Sequence, residues 1–501
     1  MKHRALQMIR GAVRYRPGVV MARFGWATIN QIAKMLIQFA GIAMLSRLLS
    51  VSDFGVLAMA QLFTFFAALL QDMGTSAAII QRKEINQELV STVFWQNAIV
   101  GLALLMIMAA ISPVAAILLH EPRLQSVLLV LSFVFPLNSS STMQQAILQR
   151  EGRLRDIARI EITTALLGLG AGVAAAIAGM GVFSLVIQQL VAASLRTLQL
   201  WLSTHWFPRF EWSKEEFKRT WGFTSHLLAF STINYFARNA DNMLIGRFLG
   251  AMDLAIYSMA YRLLITPVQA VGAVTSRVLL PIYSQMQDRP KDIGVHFVRT
   301  LSIINFFASP VMAFLWALRE PFVAVFLGPK WTHVVDIVAW LAPVGYLQVM
   351  NTNVGFVVIS LGRTKMVRNM GVSSAVTFIA FFFACVPFGI VAVAAGYFVA
   401  NLAVCAVQLH ITLRLVHKSL FSLLRATWKQ FLLCMIAAAT VRVLSTLDYI
   451  QSVHPIVTLV ALGALGVGVY AALVAIFARG EVKAFMAARG AGATDQPTSP
   501  E

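Results

Sequence analysis

Five basic side chains stand deep inside apolar stretches of this chain: Lys34, Arg196, Arg238, Arg262 and Arg277. A charge at membrane depth costs ~2.5 kcal/mol or more, so such groups are rare and turn toward protein or water. A guanidinium there suits an anionic ligand, because its planar fork meets phosphate oxygens in pairs. Gln31, Lys34 and Gln38 fall on one helical face at offsets of three and four. That polar stripe is expected to line a wet cavity, the alternative being a pair between Lys34 and an acid on a neighbouring helix. Arg238 and Asp241 are three apart, with Asn234, Asn239 and Asn242 nearby. They are either a cavity-side pair or a local salt bridge. Asp241 and Asp72, the other deep acid, are the candidates for ion coupling or gating. Arg262 lies ~13 Å into its helix at 1.5 Å per residue, and Arg196 and Arg277 are near enough to helix ends to snorkel. Trp95, Tyr235, Tyr257 and Tyr261 offer ring faces for stacking, although interfacial belts are rich in the same types.

The elements that must position these groups follow from composition. The 501 residues are 58% hydrophobic and 12% charged, about half the usual ~25% charged fraction of a soluble domain. The apolar residues come in runs long enough for helices that cross a ~30 Å hydrocarbon layer. Apolar–polar alternation over ~10-residue segments, the mark of a membrane β-barrel, is missing. The expected fold is therefore all-α and polytopic, with fourteen transmembrane helices. These lie near 23–46, 53–80, 92–119, 124–149, 157–179, 182–206, 220–247, 253–286, 296–319, 333–361, 365–386, 389–414, 427–447 and 455–478. A basic arm (1–22) precedes a six-helix bundle (23–207). A linker (208–219), a second six-helix bundle (220–416), two additional helices (417–478) and a disordered polar tail (479–501) follow.

Basic residues, which played no part in locating the helices, test that count. With the N-terminus inside, the inner loops and tail hold 23 Lys and Arg and the outer loops 6. A missed helix would reverse the alternation partway along, and no reversal occurs. Both ends are thus expected in the cytoplasm. The same tally absorbs most of the net charge of +19, so no nucleic-acid partner is needed. Cys385, Cys405 and Cys434 all lie in apolar runs, and an odd number of such cysteines argues against a disulfide framework. Gly168 and Gly172 have the spacing that lets helices pack closely.

Two stretches, LSRLLSVSDFGVLAMA (Leu45 to Ala60) and IGRFLGAMDLAIYSMA (Ile245 to Ala260), share Arg, Leu, Asp, Met and Ala at a constant offset of two hundred residues. Six helices separate them, so both enter the membrane in one direction, as in a parallel repeat about an axis along the membrane normal. The recurring charges, Arg47, Asp53, Arg247 and Asp253, are most simply explained as caps of the helices that meet there.

SRLLSVSDFG, AAIIQRKEINQE (Ala77 to Glu88), QQAILQREGRLRDIA (Gln144 to Ala158) and RNADNMLIGRFLG (Arg238 to Gly250) resemble the Wzx-type polysaccharide flippases, in their colanic-acid and exopolysaccharide branch. These belong to the multidrug/oligosaccharidyl-lipid/polysaccharide exporter (MOP) superfamily. YSMAYRLLITPVQ (Tyr257 to Gln269) and LGRTKMV (Leu361 to Val367) extend the likeness over about residues 20–415. The resemblance implies two six-helix bundles around a central cavity, with two extra helices. It also implies a cargo, an undecaprenyl-pyrophosphate-linked oligosaccharide repeat unit moved to the periplasmic leaflet of a bacterial inner membrane by alternating access. A polysaccharide polymerase and chain-length or export components are then further partners. No cofactor is expected. No GxxxxGK[ST] loop is present, so coupling would be to a proton or sodium gradient. A drug–cation antiporter or a peptidoglycan-precursor flippase of the same superfamily is the nearer alternative, and the five deep basic residues disfavour cationic cargo. A membrane-embedded polymerase or ligase is the more distant one, because no sizeable outer loop or DxD sequence supplies catalytic groups; the chain is not expected to be an enzyme.

Overall fold

The computed structural model describes residues 17–72, 85–214, 238–447 and 454–478, together with Ile79, Thr232, Tyr235 and Phe236. Among the described residues the regular elements are helices, without strands. Twelve segments there are long and apolar enough to cross a membrane. The expected helix at 220–247 falls largely outside the described residues, as do most of the basic arm, Arg82 and Lys83, and the tail. The expected helix at 253–286 is present as one continuous 35-residue helix, Ala251–Gln285. The chain divides into two compact units, Met1–Ala255 and Ile256–Glu501.

The first unit contains α1 (Pro17–Leu48), α2 (Val51–Asp72), α3 (Gln87–Leu118), α4 (Arg123–Leu131), α5 (Val134–Arg150), α6 (Leu154–Ile177), α7 (Val182–Thr204) and α8 (Ala240–Phe248). Local chemistry sets several of these limits. The Asn86 side chain accepts the Leu89 N–H at 2.9 Å and starts α3 five residues ahead of the apolar run. Ser50 and Asp53 cap α2 reciprocally: the Ser50 N–H and hydroxyl donate to the Asp53 carboxylate at 3.1 and 2.6 Å, and the Asp53 N–H donates to Ser50 Oγ at 3.2 Å. Asp53 therefore has the capping role expected of it. The helix expected at 124–149 breaks between α4 and α5, because the Pro136 ring has no N–H and clashes with the carbonyl four residues earlier, at Ser132.

Within this unit α1 packs on α6, α6 on α7, and α5 on both α3 and α7. α6 and α7 approach closely. A Cβ at Gly168 would lie 2.8 Å from Ala192 Cβ, and one at Gly172 2.8 Å from Gln188 Cβ, so the glycine pair does permit the close contact its spacing suggested. Beyond α7, residues 205–213 run as a non-helical strap along α3. The Gln87 amide donates to the Phe207 carbonyl at 3.0 Å and the Trp95 indole to the Arg209 carbonyl at 2.8 Å. Arg209 N–H meets Ser91 Oγ, Ser213 N–H meets Thr92 Oγ1, both at 3.1 Å, and the Trp206 indole donates to Gln87 at 2.9 Å. Phe210 stacks on Trp95 at 4.8 Å yet remains 93% exposed.

The second unit takes in the length of α9 (Ala251–Gln285) from Ile256, then α10 (Pro290–Ala317), α11 (Arg319–Phe326), α12 (Val334–Asn351) and α13 (Val354–Ser360). It continues with α14 (Thr364–Cys385), α15 (Ile390–Leu415), α16 (Leu420–Ser445) and α17 (Pro455–Phe477). Its core gathers Tyr283, Phe297, Leu301, Val357 and Leu413, all fully buried. The two additional helices are integral to it: α16 lies along α10, and α17 packs on α16 and α11. Asn305 is the polar knot of that contact. Its amide donates to the Thr427 carbonyl and to Gln430 Oε1, both at 3.2 Å, and its oxygen accepts the Tyr346 hydroxyl at 2.8 Å. Large apolar side chains face outward throughout, among them Ile117 on α3, Ile177 on α6 and Val460 on α17. Water would not tolerate so much contiguous apolar surface, and lipid does. The protein is a multi-pass membrane protein.

Candidate functional site

Polar groups gather in two places in the first unit. The first is α1. Gln31, Lys34 and Gln38 are all exposed and share one face, while the exposed apolar residues Ile29, Ile32 and Leu36 lie on another. Lys34 donates to the Glu161 carboxylate of α6 at 3.0 Å, and the same oxygen accepts from Asn30 at 2.8 Å. Lys34 thus has an acid on a neighbouring helix and still stands 46% exposed, whereas Glu161 is 18% exposed. The pair anchors the lysine at its carboxylate side and leaves the rest of the stripe open.

The second is an open cavity of about 370 Å³ lined by α2, α5 and α7. From α5 come Asn138, Ser141, Thr142, Gln145 and Gln149, spaced at intervals of three and four along ~16 Å of helix. Gln71 closes it from α2 and Arg196 from α7. The Arg196 guanidinium donates to Gln145 Oε1 at 2.5 Å. Gln71 donates to the Phe135 carbonyl at 2.8 Å and to Ser139 Oγ at 2.6 Å. Ser141 and Thr142 spend their protons on carbonyls of their own helix, Thr142 on Asn138 at 2.9 Å. Of the deep basic residues whose side chains are described, Arg196 is the one that lines this cavity. The amides and hydroxyls beside it were missed by a search for charges. Their signal was the low-hydropathy run NSSSTMQQ, whose polar residues recur at helical spacing.

The other expected residues are placed separately. Arg238 is exposed just ahead of α8, and Asp241 is buried in its first turn, with Oδ1 accepting the Asn242 N–H at 2.8 Å. No ion pair joins the two among the described residues. Arg262 is half-buried on α9, and its carbonyl accepts the Thr266 hydroxyl at 2.9 Å. The side chains of Asp72 and Arg277, and all of Asn234, lie outside the described residues. The aromatics that offered stacking faces are engaged by protein: Tyr257 is fully buried and stacks on Tyr261 at 6.4 Å, the Tyr235 hydroxyl donates to the Leu62 carbonyl at 2.6 Å, and Trp95 holds the strap.

Where α3 and α8 end, Arg247 meets the His120 ring at 2.6 Å and lies over the face of Phe248. Arg123, at the start of α4, binds Glu121 at 2.8 Å, Ser52 at 2.6 Å and Asp53 at 3.7 Å. The hydrogen bond from Arg123 holds the Glu121 carboxyl below its ordinary value of 4.5. In the second unit, Arg442 binds Glu320 at 2.8 Å and holds that carboxyl down in the same way.

Comparison with known proteins gives the same picture. The family described as polysaccharide biosynthesis protein is matched over residues 44–336. The teichuronic acid biosynthesis protein TuaB of Bacillus subtilis is 26% identical over 349 residues, 69% of this chain and 72% of TuaB. The lipopolysaccharide biosynthesis protein WzxC of Escherichia coli is 25% identical over 356 residues, 71% of this chain and 72% of WzxC. Among solved structures, the lipid II flippase MurJ in an inward closed conformation superposes with a TM-score of 0.73 at 14% identity, covering 92% of this chain and all of that one. The two chains share a fold.

Proposed function

The chain belongs to the polysaccharide biosynthesis protein family, and from that membership we propose that it is a flippase for undecaprenyl-pyrophosphate-linked oligosaccharide repeat units. It moves them from the cytoplasmic to the periplasmic leaflet for assembly of an exopolysaccharide, capsule or O-antigen. The observation that carries this reading is the hydrogen-bonding cavity with the Arg196 guanidinium in its lining, built inside helices that are apolar on their outer faces. A hydrophobic cargo has no use for it, and a glycan head needs such a lining to pass through hydrocarbon. Carriage, rather than bond making, is the activity of this chain.

The finer picture is part of the same proposal. Fourteen helices span the bacterial inner membrane with both ends cytoplasmic, and the bundles 23–207 and 220–416 form a parallel repeat. Its support is the matched geometry of the two similar stretches: Arg47 and Arg247 each sit in the last turn of a helix, and Asp53 and Asp253 in the first turn of the next. Lys34, Arg196, Arg238 and Arg262 meet the pyrophosphate and sugars along the path, with Gln31, Gln38 and Arg277 beside it. Asp72 and Asp241 serve coupling to a proton or sodium gradient. A polymerase and chain-length or export components receive the product.

The test is the lipid-linked glycan pool of cells that lack this gene but still assemble the repeat unit, read by mass spectrometry. Complete repeat units held on the cytoplasmic leaflet, with secreted polymer lost, are the expected result. Repeat units that reach the periplasmic leaflet and stay unpolymerised would overturn the proposal in favour of a polymerase.

A further inference from the structure

We infer that the α2–α5–α7 cavity is a seat for one sugar residue of the cargo, recognised through its hydroxyl groups rather than through charge. The inference rests on the flippase proposal and deepens it by locating a specificity site within the first unit alone.

The argument is a count of donors and acceptors. Gln71 has committed its amide protons to Phe135 and Ser139, so only its oxygen is left to face a ligand. Ser141 and Thr142 have likewise given their protons to backbone carbonyls and retain lone pairs. Gln145 has its oxygen bound by Arg196, which leaves its NH2. Both polar atoms of Asn138 and of Gln149 have no hydrogen bond among the described residues. The lining therefore presents donors from Asn138, Gln145, Gln149 and Arg196, interleaved with acceptors from Gln71, Asn138, Gln149, Ser141 and Thr142.

That mixture selects among ligands. A phosphate or carboxylate accepts only: it could use the donors of Asn138, Gln145, Gln149 and Arg196, but its negative charge would also face the lone pairs of Gln71, Ser141 and Thr142. A metal ion or a coupling cation takes oxygen ligands only and would face the Arg196 guanidinium and the amide N–H groups, with no carboxylate among the described lining residues to balance its charge. A lipid tail would leave every group unsatisfied. A sugar hydroxyl is donor and acceptor at once and fits both kinds of partner. The cavity's volume of about 370 Å³ lies at the small end of the ~300–1,000 Å³ range of ligand sites, in keeping with a single ring of a longer glycan.

The experiment uses the full-length protein in lipid nanodiscs and two probes. One is lipid-linked oligosaccharide extracted from cells lacking this gene, and the other is undecaprenyl pyrophosphate without the glycan. The wild-type protein is expected to bind the glycan-bearing lipid more tightly. Asn138→Leu and the nearly isosteric Thr142→Val, each with an unchanged unfolding midpoint, are expected to lose about 3–10-fold of that preference, the worth of one neutral hydrogen bond. Affinity for undecaprenyl pyrophosphate should stay the same. A preference intact in both variants overturns the sugar seat and leaves the flippase standing. Equal wild-type affinity for the two lipids does the same. Loss of the preference in Arg196→Gln alone makes the cavity an anion seat and overturns recognition through hydroxyls. Failure of the wild type to bind either lipid overturns the flippase proposal itself.

Discussion

The ion pair between α1 and α6 can separate a structural lysine from a transporting one. Lys34 and Glu161 are 3.0 Å apart, a separation at which two unit charges in an effective dielectric constant of ~20 attract by about 5.5 kcal/mol. That figure is a ceiling, because Lys34 is 46% exposed and exposed pairs retain only ~1 kcal/mol or less. The two single substitutions should differ. Lys34→Met leaves a mostly buried carboxylate with Asn30 as its one remaining hydrogen-bond donor, and an underpartnered buried acceptor costs ~1–3 kcal/mol. Glu161→Gln keeps an oxygen for Asn30 and strands only a lysine that already reaches the surface, for about 1 kcal/mol. The double variant has no stranded charge, so its stability should return to within about 1 kcal/mol of wild type. Unfolding in mixed micelles measures the cycle, and secreted polysaccharide from a complemented deletion strain measures function. If Lys34 meets the cargo, the double variant is stable and exports at least about tenfold less, the effect of losing ~1.4 kcal/mol of interaction. A stable double variant that exports normally would refute that role. A double variant as unstable as Lys34→Met would refute the pairing argument itself.

Three further outcomes follow from the geometry. Gly172→Leu should weaken the α6–α7 contact by about 1–3 kcal/mol through overpacking, because even a Cβ there lies 2.8 Å from Gln188 Cβ; an unchanged unfolding midpoint would contradict it. The Glu121 carboxyl is held below its ordinary value of 4.5 by Arg123, so its stabilising contribution is complete above that value and fades as pH falls through the lowered one. Unfolding measured from about pH 6 to about pH 3 should therefore show a weaker acid loss in Glu121→Gln than in wild type. Trp95→Phe removes the donor to the Arg209 carbonyl, and amide exchange in the strap should quicken there before it quickens in α3; simultaneous change in both would mean that α3 itself had loosened.

Much of the fold was legible because membrane helices announce themselves by length and apolarity, which one chain records without its neighbours. Helix starts were less so. α10 begins at Pro290, six residues ahead of its apolar run, since a proline and an acid favour a first turn that hydropathy scores as loop. The site was legible in its charges and illegible in its amides. Lys34 is conspicuous in any apolar run, but its partner depends on α1 lying against α6, and nothing local in either helix encodes that. Asn138, Gln145 and Gln149 escape an average over twenty residues because each is diluted by Leu, Ile and Ala, although their spacing marks one face. Tyr257 shows the converse: a residue type suited to stacking on sugars is here fully buried against Tyr261.

The strap along α3 has a practical consequence for anyone who divides this protein. A cut at Thr204, where α7 ends, would remove five hydrogen-bond partners from Gln87, Ser91, Thr92 and Trp95 and uncover the ring on which Phe210 stacks. A first fragment carried through Ser213 keeps that surface covered. Coexpressed halves should therefore reassemble into an exporting protein when split beyond Ser213, and lose the first half to aggregation or degradation when split at Thr204.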